Sequence, residues 1–357
     1  MAVSVLQFAG HVLGDEGALS ALVTERNGVA VGDRCLMVRR ETFLQSGGFS
    51  VDPLLAPWAE ADLCLRLQQA GYLNVWTPRA RLLLEAAPAA AISPEQEDAL
   101  YARWLPQLVS DPSYNGNQSL LAGHSHARQD NGLCWRPLQG IAPTVLAFAA
   151  DQQTAGQARV IQPLMAMRNA GLIDGSVTMG VLTLVDIQRY APSSIVLQRP
   201  LADAGLQTLR RLRAFSQAFK VYELDGYIPE MGFDAGLSAD ELLQRMSHGL
   251  MQADRVVVAA PALAELLQGQ HDDVRLLESA LPAAWGQLQG LRRMAQRPRL
   301  GWIGDKDAVL LAEVVPAMAH EVDWIVLGDC PQALRPVRPR APPGRSLAKC
   351  WAIASLP

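Results

Sequence analysis

Short apolar segments alternate with amphipathic segments between residues 144 and 277, and this alternation constrains the fold more than any other feature of the sequence. The apolar segments have the length of buried strands, and the segments between them carry apolar residues at helical spacing. The predicted strands are residues 144–150, 194–198, 220–224, 255–259 and 274–277, and the predicted helices are residues 158–170, 202–219, 263–268 and one that begins at 237. Because strands that alternate with helices form parallel sheets covered on both faces, the pattern predicts an α/β fold with a doubly wound parallel sheet.

A second unit of the same kind begins at Pro298. It has predicted strands at 300–303 and 324–327 and a predicted helix at 308–320. From residue 335 the chain is crowded with Arg and Pro, and the periodicity stops. Two strands cannot close a core, so the sequence predicts an incomplete unit at 298–334. We expect 335–357 to be either a poorly ordered extension or the product of a shifted reading frame, and the interrupted unit favours the second.

The first 88 residues predict short strands around one amphipathic helix. In that helix, at 60–70, Leu63, Leu67 and Ala70 form one apolar face, acidic residues occupy the first turn, and Gly71 follows as a stop. Further elements are expected as strands at 34–39 and 72–77, a helical turn at 41–46 and a helix at 95–108. Residues 111–136 are rich in Asn, Gly, Ser and His, so we expect a linker there and a domain boundary near residue 136.

Composition excludes several classes of protein. The 357 residues suffice for about two domains, at roughly 150 residues each. A formal net charge of −4 gives no field that attracts nucleic acid or anionic lipid, so we expect neither partner. Five cysteines without a C-x-x-C pair predict no disulfide framework and no zinc site, which fits a reducing cytoplasm. No apolar stretch reaches about 18 uninterrupted residues, so no transmembrane segment is predicted.

Two segments near the start carry a resemblance to a known family. They are RCLMVRRETFLQSGGFSVD at 34–52 and WAEADLCLRLQQAGYLNVWTP at 58–78. With their G-G-F turn, an acidic pair that opens a D-L-C-L-R helix, and A-G-Y before a strand ending T-P, they resemble the acceptor-side half of a family 2 glycosyltransferase of GT-A fold. The stretch RWLPQLVSDPSYNGN at 103–117 resembles the tail that follows this domain in bacterial cell-surface polysaccharide transferases.

The rest of the chain resembles the GT-B-type domain often fused behind such a transferase. The matching pieces are AADQQTAGQARVIQPL at 149–164, IVLQRP at 195–200, KVYELDGYIPEM at 220–231, ADRVVVAAPALAELL at 253–267, RLGWIGD at 299–305 and VDWIVLGDCP at 322–331. The resemblance implies a GT-A half at 1–88, a helical tail and linker at 89–136, a GT-B-like Rossmann domain at 137–297, the start of a second Rossmann unit at 298–334, and an irregular tail at 335–357.

The resemblance assigns catalysis to the acidic pair that opens the 60–70 helix. Glu60 stands where the family carries the general base that takes the proton of the acceptor hydroxyl, and a helix N-terminus favours its ionised form. Asp62 either shares the catalytic role or fastens the helix end through an i,i+4 contact with Arg66. On spacing alone, both also fit ordinary first-turn acids.

Trp58, Gly47 and Gly48 are implied to border the acceptor. From the residues themselves, Trp58 is equally typical of a core position. The two glycines supply backbone angles that other residues disfavour, before Phe49 enters the core.

Arg159, Glu223 and Asp225 are the candidate substrate-binding residues of the second segment. Arg159 lies near the start of the helix after the first predicted strand, and the two acids end a strand. Because ligands bind at the carboxyl ends of parallel strands, we expect all three in one crevice. The alternatives are a surface or capping arginine and turn-forming acids.

The resemblance also implies the cofactor and the partners. A complete GT-A domain holds Mn²⁺ or Mg²⁺ through a D-x-D in a nucleotide-binding half, and neither that motif nor another metal-ligand set is evident in this chain. His124 and His126 lack acidic or cysteine partners and are predicted to be solvated. The implied partners are a nucleotide-sugar donor and a saccharide or lipid-linked saccharide acceptor, with the protein peripheral at the inner face of the cytoplasmic membrane.

Three hypotheses of function follow. The first is a glycosyltransferase that appends sugars to a growing cell-surface polysaccharide of the O-antigen or capsule type. On this hypothesis the chain is truncated at both ends, so we expect it to have little or no transferase activity by itself and to bind nucleotide sugars weakly. The second is a non-catalytic binding or scaffolding fragment that lacks complete donor sites. A generic nucleotide-binding protein is disfavoured, because no G-x-G-x-x-G or phosphate loop follows the 144–150 strand. Reading the coding DNA before Met1 and beyond residue 334 would separate the first two.

Overall fold

The computed structural model describes residues 23–32, 35–80, 92–110, 142–152, 154–179, 182–227, 237–280, 297–303, 314–318 and 321–327. The chain divides into two compact units, residues 1–279 and 280–357. The predicted linker and boundary at 111–136, its two histidines, and the tail at 335–357 lie outside the described residues.

A six-stranded parallel sheet forms the centre of the first unit. Its strands are β3 (Thr144–Phe148), β4 (Asp174–Thr178), β5 (Ser194–Gln198), β6 (Phe219–Leu224), β7 (Arg255–Val258) and β8 (Val274–Leu276). They lie in the order β4-β3-β5-β6-β7-β8, and every neighbouring pair is parallel. The predicted α/β fold with a wound parallel sheet is confirmed. Because the chain passes from β3 outward to β4 and then returns to β5, the topological switch point lies between β3 and β5.

Helices connect the strands of this sheet. They are α4 (Thr154–Gly156), a π-helical turn (Gln157–Ile161), α5 (Gln162–Asn169), α6 (Leu184–Tyr190), α7 (Asp203–Phe215), α8 (Ala239–Leu250) and α9 (Pro261–Leu266). Leu146, Ile195, Leu197, Tyr222 and Val256 are at most 2% exposed, so apolar side chains fill most of the sheet interior.

β4 and α6 were not predicted from the sequence, and each omission has a physical reason. The β4 sequence, DGSVT, lies at the sheet edge, where only Gly175 is buried, so no apolar run marks it. The seven-residue α6 buries five of its residues, so it shows no polar face to reveal a helical period. Both elements depend on their neighbours in the sheet more than on local pattern.

The segment before the sheet is built around α2 (Ala59–Gln69) and α3 (Pro94–Val109), both at the predicted places. Smaller elements are β1 (Arg26–Gly28), paired antiparallel with β2 (Asn74–Trp76), α1 (Arg40–Gln45) and a 3-10 turn at Ala56–Trp58.

Two expectations for this segment are wrong. The predicted strand at 34–39 is not a strand in the residues described there, 35–39, because its apolar side chains have no sheet to join and Met37 is 96% exposed. Phe49 was expected in the core but is 47% exposed. Its ring packs edge-on against the ring of Phe43, with centroids 5.3 Å apart, and this contact covers only part of it.

Helix α3 joins this segment to the parallel sheet. It contacts α2 on one side and α6 and α7 on the other. Arg189 of α6 donates to the carbonyls of Leu108 and Val109, at 3.1 and 3.2 Å. Both carbonyls lie in the last turn of α3, where the helix itself supplies no donor. Arg211 of α7 binds Glu97 and Asp98 of α3, at 2.7 and 2.6 Å. The segment and the sheet therefore share one hydrophobic core.

The second unit contains the strands expected at its start. β9 (Arg299–Ile303) and β10 (Asp323–Leu327) are parallel, and residues 314–318 between them are helical. In the part of the chain that the structure describes, no helix combines the length and apolar character needed to cross a bilayer.

Candidate functional site

Asp62, one of the two predicted catalytic acids, is fully buried inside the first unit. Its Oδ2 accepts a hydrogen bond from Nε of Arg66 at 2.8 Å, which is the expected i,i+4 contact. Its Oδ1 accepts one from the indole N–H of Trp104 at 2.9 Å, and Nη1 of Arg103 lies 3.3 Å away. Both carboxylate oxygens are therefore engaged, and they tie α2 to α3.

Arg66 connects Asp62 to the glycine turn. Besides its bond to the carboxylate, it donates to the backbone carbonyl of Ser46 and, at 2.6 Å, to that of Gly48. Gly47 and Gly48 have φ of +79° and +66°, so the turn uses the left-handed angles expected of glycine. A Cβ on Gly48 would lie 3.3 Å from the Phe43 ring. One guanidinium thus holds the two motifs that carry the family resemblance.

Trp58 and Glu60 lie at the start of α2 in different environments. Trp58 is only 4% exposed, and its indole N–H donates to the carbonyl of Gln96 at 3.2 Å. Glu60 is in the first turn of α2 and is partly exposed. Of the acidic pair, Glu60 is therefore the carboxylate that a substrate could reach without displacing core contacts.

The predicted residues of the second segment come together at the switch point of the parallel sheet. Arg159 and Glu223, both more than nine-tenths buried, form an ion pair, with Nε 2.6 Å from Oε1. Nη1 of Arg159 also donates to the carbonyl of Leu277 and lies 3.4 Å from Oγ of Ser279. Arg159 therefore links the helix after β3 to the ends of β6 and β8.

A second arginine, which the sequence analysis did not single out, completes this group. Arg199 follows β5 and binds Asp151 at 2.8 Å and Asp225 at 3.0 Å. Its φ is +34°, a backbone conformation that is strained for a side chain other than glycine. Asp151 and Arg199 come directly after strands on either side of the switch point, and that position is the signal that could have identified them. We call Asp151, Arg159, Arg199, Glu223 and Asp225 the switch-point cluster.

Burial dominates the electrostatics of the cluster. It raises the pKa of Glu223 from 4.5 to about 7, and the hydrogen bond and charge of Arg159 oppose this shift. Burial also raises the pKa of Asp225, against the lowering effect of Arg199. Burial therefore favours the neutral form of Glu223, and its ion pair with Arg159 favours the ionised form.

Three buried polar atoms at this edge of the sheet have no hydrogen-bond partner among the described residues. They are Nη2 of Arg159, Oε2 of Glu223 and Nε2 of Gln198, whose Oε1 accepts from the backbone N–H of Ala150 at 3.0 Å. Arg159 also lies in the π-helical turn, a rare helix form found often at functional sites. Unsatisfied buried groups are costly, so these three atoms are candidates for contact with a bound molecule or water.

Among the described residues, no three His, Cys, Asp or Glu side chains come together in a way that could hold a metal ion. The Mn²⁺ or Mg²⁺ expected of a complete GT-A domain stays a prediction.

The chain is similar in sequence to parts of two larger curated proteins. No family model matches it. It is 27% identical over 303 residues to the O-antigen biosynthesis protein RfbC of Myxococcus xanthus, a match that covers 82% of this chain and 22% of that protein. It is 35% identical over 123 residues to the uncharacterized protein y4gI of Sinorhizobium fredii, which covers 31% of this chain and 14% of that protein. The chain thus spans only a part of the length of each relative.

Proposed function

We propose that the chain belongs to a glycosyltransferase that moves a sugar from a nucleotide-sugar donor to a saccharide or lipid-linked saccharide acceptor during assembly of a cell-surface polysaccharide. The observation that carries this proposal is the similarity to an O-antigen biosynthesis protein over 82% of the chain. The wound parallel sheet, with charged residues collected at its switch point, supports it independently, because such sheets bind ligands there. The reaction takes place at the inner face of the cytoplasmic membrane.

In this proposal Glu60 is the general base. The acceptor hydroxyl loses its proton to the Glu60 carboxylate while its oxygen forms a bond to the anomeric carbon, and the nucleoside diphosphate leaves with the electrons of the broken bond. The partial positive charge of the α2 N-terminus favours the ionised carboxylate that this role requires.

The neighbours of Glu60 position it. Asp62, with both oxygens engaged by Arg66 and Trp104, anchors the first turn of α2. The Gly47–Gly48 turn, fixed by the same arginine, and Trp58 form the border of the acceptor region.

The proposal is tested in the organism that carries the gene. Deletion of the gene should shorten or abolish the surface polysaccharide, measured by gel profile and sugar analysis. Chromosomal Glu60→Gln should reproduce that loss with normal protein abundance, since the amide keeps the size of the side chain and cannot take a proton. Glu41→Gln is the matched control, because Glu41 is an exposed first-turn glutamate of α1.

Two results would contradict the proposal at different levels. An unchanged polysaccharide in the deletion strain would refute the function. A normal polysaccharide in the Glu60→Gln strain, with the deletion strain deficient, would refute only the base assignment. Asp62→Asn should instead lower protein abundance, because it weakens a fully buried anchor.

A further inference from the structure

The switch-point cluster has the chemistry of a saccharide subsite. We propose that it binds the hydroxyl groups of a neutral sugar ring and does not bind the diphosphate of the donor. This inference rests on the proposed function and names the part of the substrate that the cluster takes.

The unpartnered atoms define the complementary ligand. Nη2 of Arg159 and Nε2 of Gln198 are donors, and Oε2 of Glu223 is an acceptor when the carboxyl is ionised. A hydroxyl group both accepts and donates, so adjacent hydroxyls of a pyranose can satisfy donors and acceptor together. A phosphate offers acceptors only and would leave Oε2 of Glu223 facing a further negative charge.

The charge of the cluster also excludes a diphosphate. Its two guanidiniums are opposed by three carboxylates, and each guanidinium is already paired at 2.6 to 3.0 Å. The cluster therefore carries no net positive charge in either protonation state of Glu223. Sites that bind phosphate groups supply an excess of donors and positive charge, whereas this one is balanced.

The backbone around the cluster is rigidly built. A Cβ on Gly156 would lie 1.7 Å from the carbonyl oxygen of Asp151, so the turn after β3 admits only glycine, and the N–H of Gly156 donates to the Asp151 carboxylate at 3.1 Å. Arg199 keeps a positive φ, and Arg159 lies in a π-helical turn. Strain of this kind persists where the surrounding structure holds it for a function.

The experiment uses the full chain and saturation-transfer NMR. The probes are methyl α-D-glucopyranoside and methyl β-D-galactopyranoside, with inorganic pyrophosphate as competitor. We expect at least one glycoside to bind, and pyrophosphate at equal concentration not to displace it. Arg159→Met and Gln198→Glu should each weaken binding about tenfold, the effect of one lost hydrogen bond. Gln198→Glu keeps an oxygen that can accept from Ala150, removes the donor and adds a carboxylate, so it tests the need for a donor at this position if Arg159→Met does not fold.

Arg213→Met is the matched control, because Arg213 of α7 forms an exposed pair with Asp254 and its loss should leave binding unchanged. Displacement by pyrophosphate, equal binding by all variants, or no binding of either glycoside would each overturn the subsite; the last would mean that water fills the cluster. Glycoside binding that depends on Arg159 and Gln198 would support the subsite even if gene deletion left the polysaccharide intact. A polysaccharide that requires the gene, together with absent glycoside binding, would refute the subsite alone.

Discussion

Replacing Glu223 by Gln should change how the stability of the protein depends on pH. Glu223 is 3% exposed, and burial raises its pKa from 4.5 to about 7. Between these values the folded state keeps a proton that the unfolded state has lost, so the free energy of unfolding falls as pH rises. At 1.36 kcal/mol per pK unit, the wild type loses on the order of 2 to 3 kcal/mol between pH 5 and pH 8 through this group.

The Gln side chain does not titrate, so the free energy of unfolding of the variant does not fall through this group as pH rises. Relative to wild type, Glu223→Gln should gain on the order of 2 to 3 kcal/mol from pH 5 to pH 8, because titrating groups that do not interact with Glu223 cancel in the difference. Urea denaturation at both pH values and constant ionic strength measures it.

Glu241→Gln serves as control. Hydrogen bonds from Ser238 lower the pKa of Glu241, so that residue is ionised in both states across this interval and the difference should be flat. The free energy of unfolding of Glu223→Gln minus that of wild type could also be independent of pH, or could fall as pH rises. Either result would mean that Arg159 favours the ionised carboxylate at least as much as burial opposes it. The reasoning from desolvation would then be wrong.

Three further substitutions test the contacts that hold the first unit together. Arg66→Met removes the nearer of the two cations that pair with the buried Asp62 carboxylate and should lower the free energy of unfolding by about 3 kcal/mol in urea. Arg79→Met, which breaks an exposed pair, should change it by less than about 0.5 kcal/mol. Gly48→Ala should cost about 2 kcal/mol in thermal melts, and Gly71→Ala, equally left-handed but in open space, should cost less. Arg211→Met should cost about 2 kcal/mol and speed amide exchange in α3; unchanged exchange would contradict its role as a clamp.

Local pattern predicted the elements whose burial is regular along the chain. β5 was predicted with its observed bounds, and α2 was predicted to within one residue at each end. In both elements the burial of side chains repeats along the chain, every two residues in the strand and every 3.6 residues in the helix. Apolar residues in the sequence follow the same period, so the sequence alone predicts the element. The parallel sheet followed from the order of such elements.

The order of the strands, by contrast, is a tertiary property. Nothing in the local pattern places β4 outside β3, and β4 and α6, which both lie between β3 and β5 along the chain, lack the periodicity that would have predicted them. The strand order sets the switch point, and hence which residues meet there.

The sites divide along the same line. The sequence alone placed Glu60 and Asp62 in the first turn of one helix and Arg159, Glu223 and Asp225 at strand ends. Only the tertiary structure decided that Asp62 binds Trp104, 42 residues away, and that Arg159 binds Glu223, 64 residues away. Arg199 joined the cluster in the same way, between acids that follow two other strands. Such contacts depend on how elements pack across the fold, and hydrophobic periodicity encodes which face of an element is buried but not which residue it meets.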